Sequence, residues 1–133
     1  MIELVFVIVV LGILAAIAIP KFSASRTDAI IAKGRSEVAA IRSGIINERQ
    51  SRIIKGQTNF ISASDLSTGN ELFNGVLTYG FKAGTKGGSW SKGSSGTYSY
   101  HINGSTSVDF TYDASKGTFT CDRSKTYCQK LVD

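Results

Sequence analysis

Glu3 is the first residue whose type and position could do chemistry, because it stands alone in front of an apolar run. Residues 4–19 carry no charge, and the next charged side chain along the chain is Lys21. A carboxylate at the edge of a membrane span is rare and usually functional. The alternative is a glutamate that snorkels to the lipid headgroups from a helix end. Glu3 is therefore the first candidate functional residue.

The two cysteines, Cys121 and Cys128, lie close together near the C-terminal end of the chain. An even number of cysteines, opposite a membrane-targeting segment, favours an oxidising compartment and a disulfide. The alternative is a metal pair, but a single distant histidine, His101, makes a four-ligand zinc site a poor fit. We predict a Cys121–Cys128 disulfide, with no metal ion and no cofactor.

The remaining reactive side chains form no catalytic pattern. His101 is predicted to lie in a strand among aromatic residues, with no nucleophile or acid at a motif spacing. The triplet Asn103-Gly104-Ser105 is formally a glycosylation sequon, but it coincides with a predicted turn. Three aspartates could bind calcium, although their spacing matches no known calcium loop: Asp109, Asp113 and Asp122. We predict that the protein is not an enzyme and has no catalytic residue.

The segment that positions Glu3 is a marginal membrane span. A helix of the first nineteen residues would be about 28 Å long, close to the thickness of a bilayer core. A secretory signal peptide is disfavoured, because no basic region precedes the run and no small-x-small cleavage site follows it. A buried core helix would need a larger soluble domain to cover it. We predict that residues 1–22 form a transmembrane helix.

Helical signals continue beyond the span. Pro20 should kink the helix without ending it. Apolar residues then recur at helical spacing: Ile31, Gly34, Val38, Ile41 and Ile45. Charged residues are predicted on the opposite face: Arg35, Arg42, Glu48, Arg49 and Arg52. The pattern predicts one helix from the start of the chain to about Ile54, amphipathic over residues 23–55 and stopped by Gly56.

The pattern in the last part of the chain predicts a small sheet. Residues 56–96 are predicted to be a linker and a flexible Gly/Ser-rich loop around Trp90, and this loop lacks the spacing of a phosphate-binding loop. From residue 97, apolar side chains alternate along three segments that are separated by turns at Asn103-Gly104 and at 113–117. This alternation predicts a three-stranded antiparallel meander in 97–133, covered on one side by the helix. The predicted fold class is α+β, with residues 23–133 forming one globular head.

The first residues resemble those of type IV pilins and of the pseudopilins of type II secretion. The family pattern is an apolar residue and Glu near the mature N-terminus, an apolar run, and then Gly-Ile-Leu-Ala-Ala-Ile-Ala-Ile-Pro. The match covers residues 2–22 and combines Glu3, Gly12 and Pro20 with the GILAAIAIP string. The rest of the chain agrees in layout only. The resemblance implies a pilin fold, with a long kinked helix packed on a small antiparallel head.

The resemblance also implies roles for three residues. Glu3 would pair with the N-terminal amine of a neighbouring subunit, and the helix between Gly12 and Pro20 would lose regular hydrogen bonds in a filament. Family members lose a leader peptide and are methylated on the new N-terminal residue. Glu3 lies two positions nearer the start than the family's glutamate does, so no residue here is assigned as the methylated one.

The functions that the resemblance implies differ in where the filament grows. A type IV pilin forms a surface filament for adhesion, twitching motility or DNA uptake, whereas a pseudopilin forms a periplasmic piston for protein secretion. The cysteine pair favours the pilin by resemblance. The implied partners are other copies of the chain, the bacterial inner membrane before assembly, and the pilus or secretion machinery.

A net charge of +5 adds DNA or a host surface as further candidate partners of the head. A solvated basic surface with no such partner is the alternative. The alternative to a filament subunit is a protein of another class, a membrane-anchored binding module. That module would keep its function if another span replaced its first twenty residues.

Overall fold

The computed structural model describes all 133 residues, and they form an α+β structure. Helix α1 runs from Ile2 to Ile54 without interruption, through Pro20. Six short strands and a second helix follow it: β1 (Glu71–Leu72), β2 (Phe81–Lys82), β3 (Trp90–Lys92), β4 (Thr97–His101), β5 (Ser107–Asp113), β6 (Thr118–Cys121) and α2 (Thr126–Val132). A long apolar helix packed on small antiparallel sheets confirms the predicted fold class.

Helix α1 contacts the rest of the chain only through its second half. Its buried residues are the predicted seam and one further glycine: Ile31, Gly34, Val38, Ile41, Gly44 and Ile45. The helix ends as predicted, because Gly56 takes a positive φ of 81° and its N–H bonds the carbonyl of Ile53. A residue without Cβ takes this backbone conformation readily, which is why a glycine follows the helix.

The main sheet has four antiparallel strands in the order β3-β4-β5-β6. Alternate side chains of these strands point at α1 and are buried: Trp90, Tyr98, Tyr100, Val108, Phe110, Tyr112 and Phe119. The meander predicted from residue 97 is confirmed as β4 to β6. Because the sheet is only one layer thick, the seam of α1 is needed to cover its apolar face.

The prediction of a flexible surface loop around Trp90 is wrong for that residue. Trp90 lies in the edge strand β3, its side chain is 1% exposed, and its Nε1–H donates to Glu37 Oε2 at 2.9 Å. The ring also packs edge-on against Phe73 and Phe110. Burial of one large aromatic side chain outweighs the weak strand propensity of the Gly and Ser residues around it.

Both predicted turns are present, with one change of type. The chain reverses between β4 and β5 over five residues, where Asn103 Oδ1 accepts hydrogen bonds from the N–H groups of Ser105 and Thr106 at 2.9 and 2.7 Å. The Asn103 side chain therefore holds a five-residue loop around the predicted turn, in place of a tight turn at Asn103-Gly104 alone. The turn after β5 closes with a 2.7 Å bond from Gly117 N–H to the Asp113 carbonyl.

Helix α2 was not predicted from the sequence. It has seven residues, and its Cys128 and Leu131 side chains are fully buried. The predicted disulfide joins Cys128 to Cys121 at the end of β6 and so confirms the cysteine pairing. A helix this short is not stable alone, so the tether and the contact with α1 hold it in place.

Candidate functional site

The part of α1 ahead of Ile30 projects from the head, and we call residues 1–29 the N-terminal arm. Its large apolar side chains are all exposed, from 37% for Val10 to 102% for Met1. Soluble monomers rarely expose apolar patches larger than a few hundred Å², and larger ones mark contacts with membranes or other proteins. The arm is therefore the surface of this molecule that most needs a partner.

The arm meets the physical requirements of a membrane-crossing segment. Its apolar window has a mean hydropathy of 3.1, and none of that window is buried within the chain. By length and composition, α1 can cross a membrane, as an anchor or a signal sequence would. The chain itself offers nothing to cover the apolar side chains before Ile30.

Glu3 lies in the first turn of α1 and is exposed. Its carboxylate makes no hydrogen bond or ion pair with any other residue of the chain. Within the monomer, its one favourable interaction is with the positive end of the helix dipole, where Met1 supplies no side-chain cap. That interaction leaves both carboxylate oxygens free to accept from a group outside the chain.

Gly12 and Pro20 weaken the arm for no reason internal to the monomer. A Cβ at position 12 would meet no atom within 4 Å, so no close approach inside the chain requires a glycine there. Glycine costs about 1 kcal/mol relative to alanine within a helix, and proline removes one backbone hydrogen bond. The isolated chain is nevertheless helical from Gly12 to Pro20, so local melting on assembly stays a prediction.

The outer face of the sheet brings His101 against a serine, which sequence reasoning missed. Ser91 Oγ lies 2.9 Å from His101 Nε2, across β3 and β4. The carboxylate of Asp109 bonds Ser99 and not His101, so the three groups do not form a nucleophile–base–acid chain. The contact depends on β3, and the sequence pattern around Trp90 gave no signal for a strand.

The candidate calcium ligands are held apart and satisfied locally. Asp113 Oδ1 accepts from the N–H and hydroxyl of Ser115 at 2.9 and 2.6 Å. The Ser115 hydroxyl, followed by its N–H, lowers the pKa of Asp113, and Ser124 lowers that of Asp122 in the same way. No three His, Cys, Asp or Glu side chains cluster as a metal site would require.

Three arginines of α1 that were predicted to face solvent contact the head instead. Arg42 Nε donates to the Phe119 carbonyl at 3.0 Å, and Arg35 donates twice to the Lys130 carbonyl. The Arg49 guanidinium stacks 4.0 Å from the Phe60 ring centroid. Desolvation lowers the pKa of Arg42, with a smaller contribution from Arg123. These internal contacts reduce the basic surface that is free to bind nucleic acid.

Comparison with known proteins gives no match to this chain. No family model matches the sequence, no curated protein is similar to it, and no solved structure matches it. Any function proposed for this chain therefore starts from the exposed arm and its unpaired carboxylate.

Proposed function

We propose that the protein is the structural subunit of a type IV pilus, which polymerises through its N-terminal arm into a surface filament. The observation that carries this proposal is the exposed apolar arm, which starts with a carboxylate that has no partner in the chain. A plain anchor accounts for the apolar residues alone. A filament subunit accounts for Glu3, Gly12 and Pro20 as well.

The apolar side chains of the arm need a non-aqueous environment at every stage. Full burial of one large apolar side chain is worth about 1.5–3 kcal/mol, and the arm carries such residues on all sides. Lipid would cover them before assembly, and the arms of neighbouring subunits would cover them in the filament. The same surface thus serves as membrane anchor and then as filament core.

Glu3 would fix the register of one arm against the next. In the family the partner is the N-terminal amine of a neighbouring subunit. At an effective dielectric constant of about 20, two opposite charges 4 Å apart attract by roughly 4 kcal/mol, which offsets part of their desolvation. A slip of one helical turn, about 5.4 Å, would leave both charges unpaired in an apolar bundle. Pairing therefore selects a single register.

Electron microscopy of material sheared from cells at native expression tests the proposal. Long surface fibres that contain this chain are expected for a pilin. Absence of fibres, together with a secretion defect when the chain is deleted, would contradict the pilin assignment and indicate a pseudopilin.

The tethered C-terminal segment favours the pilin, because a cysteine pair at this place is a regular feature of pilins.

A span exchange separates the filament subunit from the anchored binding module. Residues 1–20 are replaced by an unrelated apolar span of equal length that lacks an acid. A filament subunit is expected to reach the membrane but to form no fibres, because register and packing reside in the replaced residues. Unchanged function after the exchange would contradict the filament proposal.

A further inference from the structure

A cleft of about 280 Å³ lies where α1 leaves the head, and we call it the basal cleft. The helix contributes Ser23, Arg26 and Thr27 to its wall. The head contributes Gly87 and the β4–β5 turn at Asn103 and Gly104. The cleft therefore joins the membrane-proximal part of α1 to the nearest turn of the sheet.

Two side chains of the basal cleft, Arg26 and Asn103, have hydrogen-bond donors that no group in the chain accepts, whereas the Thr27 hydroxyl already donates to the Ser23 carbonyl at 3.3 Å. The Arg26 guanidinium has no partner in the chain. Asn103 Oδ1 already accepts from Ser105 N–H, Ser105 Oγ and Thr106 N–H, whereas its Nδ2 donates to no group in the chain. No carboxylate lines the cleft, and the nearest acid along the helix, Asp28, lies outside it. Such a cleft suits an anion with several acceptor oxygens.

The Ser23 end of the basal cleft lies at the height of the lipid headgroups, and Arg26 lies just beyond them. Ser23 and Arg26 follow Ile19, the last residue of the apolar run, by about 6 and about 10 Å along the helix axis. The headgroup layer extends about 5–8 Å beyond the hydrocarbon core on each side. Side chains of a helix lean towards its N-terminus, so Arg26 leans back towards the membrane.

We propose that the basal cleft binds the phosphate of a membrane phospholipid, with Arg26 as the charge partner and the Asn103 amide as a second donor. This inference rests on the membrane-embedded stage of the proposed function. A bound headgroup would connect α1 and the β4–β5 turn to the same lipid. It would thereby hold the head at a fixed height on the bilayer before the subunit is extracted.

The test is a titration of the full chain, labelled with ¹⁵N, in phosphate-free maltoside micelles. Phosphatidylglycerol is added, and the side-chain amide of Asn103 and the backbone amides of Gly87 and Gly104 are followed by NMR. We expect saturable shifts, at concentrations at least about tenfold below those that inorganic phosphate requires. Arg26→Gln should weaken binding about tenfold or more, since it removes a charge-assisted bond.

Asn103→Asp is the sharper variant. A carboxylate oxygen can accept the same three bonds and keep the turn, but the donor becomes an anion that repels phosphate. We expect no saturable shift for this variant. Lys55→Gln is the matched control for Arg26→Gln, and Asn47→Asp is the matched control for Asn103→Asp. Asn47 lies near the end of α1 and Lys55 directly after it, and both side chains are exposed and make no hydrogen bond. Both should bind lipid as the wild type does.

Three results would overturn the proposal. Shifts that never saturate would indicate non-specific adsorption. A loss with Lys55→Gln equal to that with Arg26→Gln would indicate general charge attraction to the lipid. Inorganic phosphate binding as tightly as the lipid would identify a free-phosphate site. The measurement uses single chains in micelles, so a failure to find filaments in cells would overturn the proposed function and leave this test unaffected.

Discussion

Two glycines of α1, Gly34 and Gly12, sit in opposite environments and should respond oppositely to alanine. A Cβ on Gly34 would overlap the Tyr100 ring and lie 2.7 Å from Leu131 Cδ2, whereas a Cβ on Gly12 meets nothing. Gly34→Ala should destabilise the head by about 1–3 kcal/mol through overpacking. Gly12→Ala should leave the head unchanged and strengthen the arm by about 1 kcal/mol of helix propensity.

Urea unfolding followed by Trp90 fluorescence measures the head in both glycine variants. An unchanged midpoint for Gly34→Ala would contradict the close approach of α1 to β4 and α2. A lower midpoint for Gly12→Ala would contradict the independence of the arm from the head. Fibre formation by Gly12→Ala is a separate readout, because only a filament would place other subunits against that position.

Tyr100 should make the head sensitive to alkali. Burial, then the nearby Glu37 carboxylate, raises the pKa of Tyr100 above its ordinary value of 10.0, while its hydroxyl donates to the Ile30 carbonyl at 2.7 Å. The folded state holds this proton more tightly than the unfolded state does. The stabilisation is therefore fully present below the ordinary pKa and is lost as the pH rises above it.

The measurement is the midpoint of urea unfolding from about pH 8 to about pH 11 for the wild type, for Tyr100→Phe and for the control Tyr79→Phe. The wild type should hold its midpoint up to the ordinary tyrosine pKa and then lose stability. Tyr100→Phe should lose less, with a remaining slope from Tyr98 and Tyr112, whose pKa values burial also raises. Tyr79→Phe should follow the wild type because Tyr79 is 85% exposed. Parallel curves for all three proteins would contradict the prediction.

Among the structural elements, α2 should depend most on its covalent tether. The disulfide closes a loop of eight residues and is worth about 2 kcal/mol in the loop-entropy account. Reduction should let α2 separate from α1 and unfold. The burial of Leu131 and the Arg35 bonds to the Lys130 carbonyl should oppose this separation only in part. Hydrogen exchange before and after reduction measures this. Amides of β4 and β5 serve as the control and should keep their protection.

An α2 that stays protected after reduction would contradict this prediction. Packing of Leu131 against α1 would then suffice to hold the helix without the disulfide. Equal loss of protection in α2 and in the β4–β5 pair would contradict it in another way, because the tether would then stabilise the whole head. Only selective loss in α2 fits a disulfide that pins one short element.

Elements with a strong periodic pattern could be predicted from the sequence, and short elements that depend on tertiary contacts could not. The apolar seam of α1 and the alternation in β4 to β6 repeat often enough to identify a helix and a meander. Strand β3 has three residues among Gly and Ser and exists because Trp90 is buried against the helix. Helix α2 has two turns and is held by the Cys121–Cys128 tether and by its contact with α1.

The candidate sites divide in the same way. Glu3, Gly12 and Pro20 stand within one continuous segment, so a single stretch of sequence identifies them. The basal cleft joins Arg26 to Asn103, and the Ser91–His101 contact joins two strands of which one was not predicted. Such pairs come together only through folding, and the sequence context that singles out Asn103 or His101 gives no signal for its partner. Sequence reasoning therefore finds the arm and misses both features of the head.

On the scale of the whole molecule, the chain consists of a head that faces water and an arm whose apolar side chains need lipid or protein around them. The head buries its own core of eighteen residues, and α1 contributes to it only from Ile31 onward. The arm contributes no residue to any core within the chain. A molecule of this kind can change the environment of its arm, from lipid to protein, without disturbing the fold of the head.

This separation allows Glu3 to be tested without risk to folding. Glu3→Gln keeps the shape of the side chain and removes its charge, so register selection should be lost while the head and the membrane anchor stay intact. We expect filament yield to fall by about tenfold or more at an equal amount of membrane-bound subunit, in keeping with the few kcal/mol of a charge pair in an apolar bundle. Asp28→Asn is the matched control, since Asp28 is the other acid of the arm, is exposed, and lies beyond the apolar run.

Co-expression with wild-type subunits completes the test of Glu3. A Glu3→Gln subunit still carries an amine that a wild-type Glu3 can bind, so it should enter mixed filaments at low frequency, but it should not start or extend filaments alone. Filament yield equal to that of the wild type from Glu3→Gln alone would contradict the register role. Glu3 would then be a carboxylate that reaches the headgroups, and the arm would align its neighbours through apolar packing only.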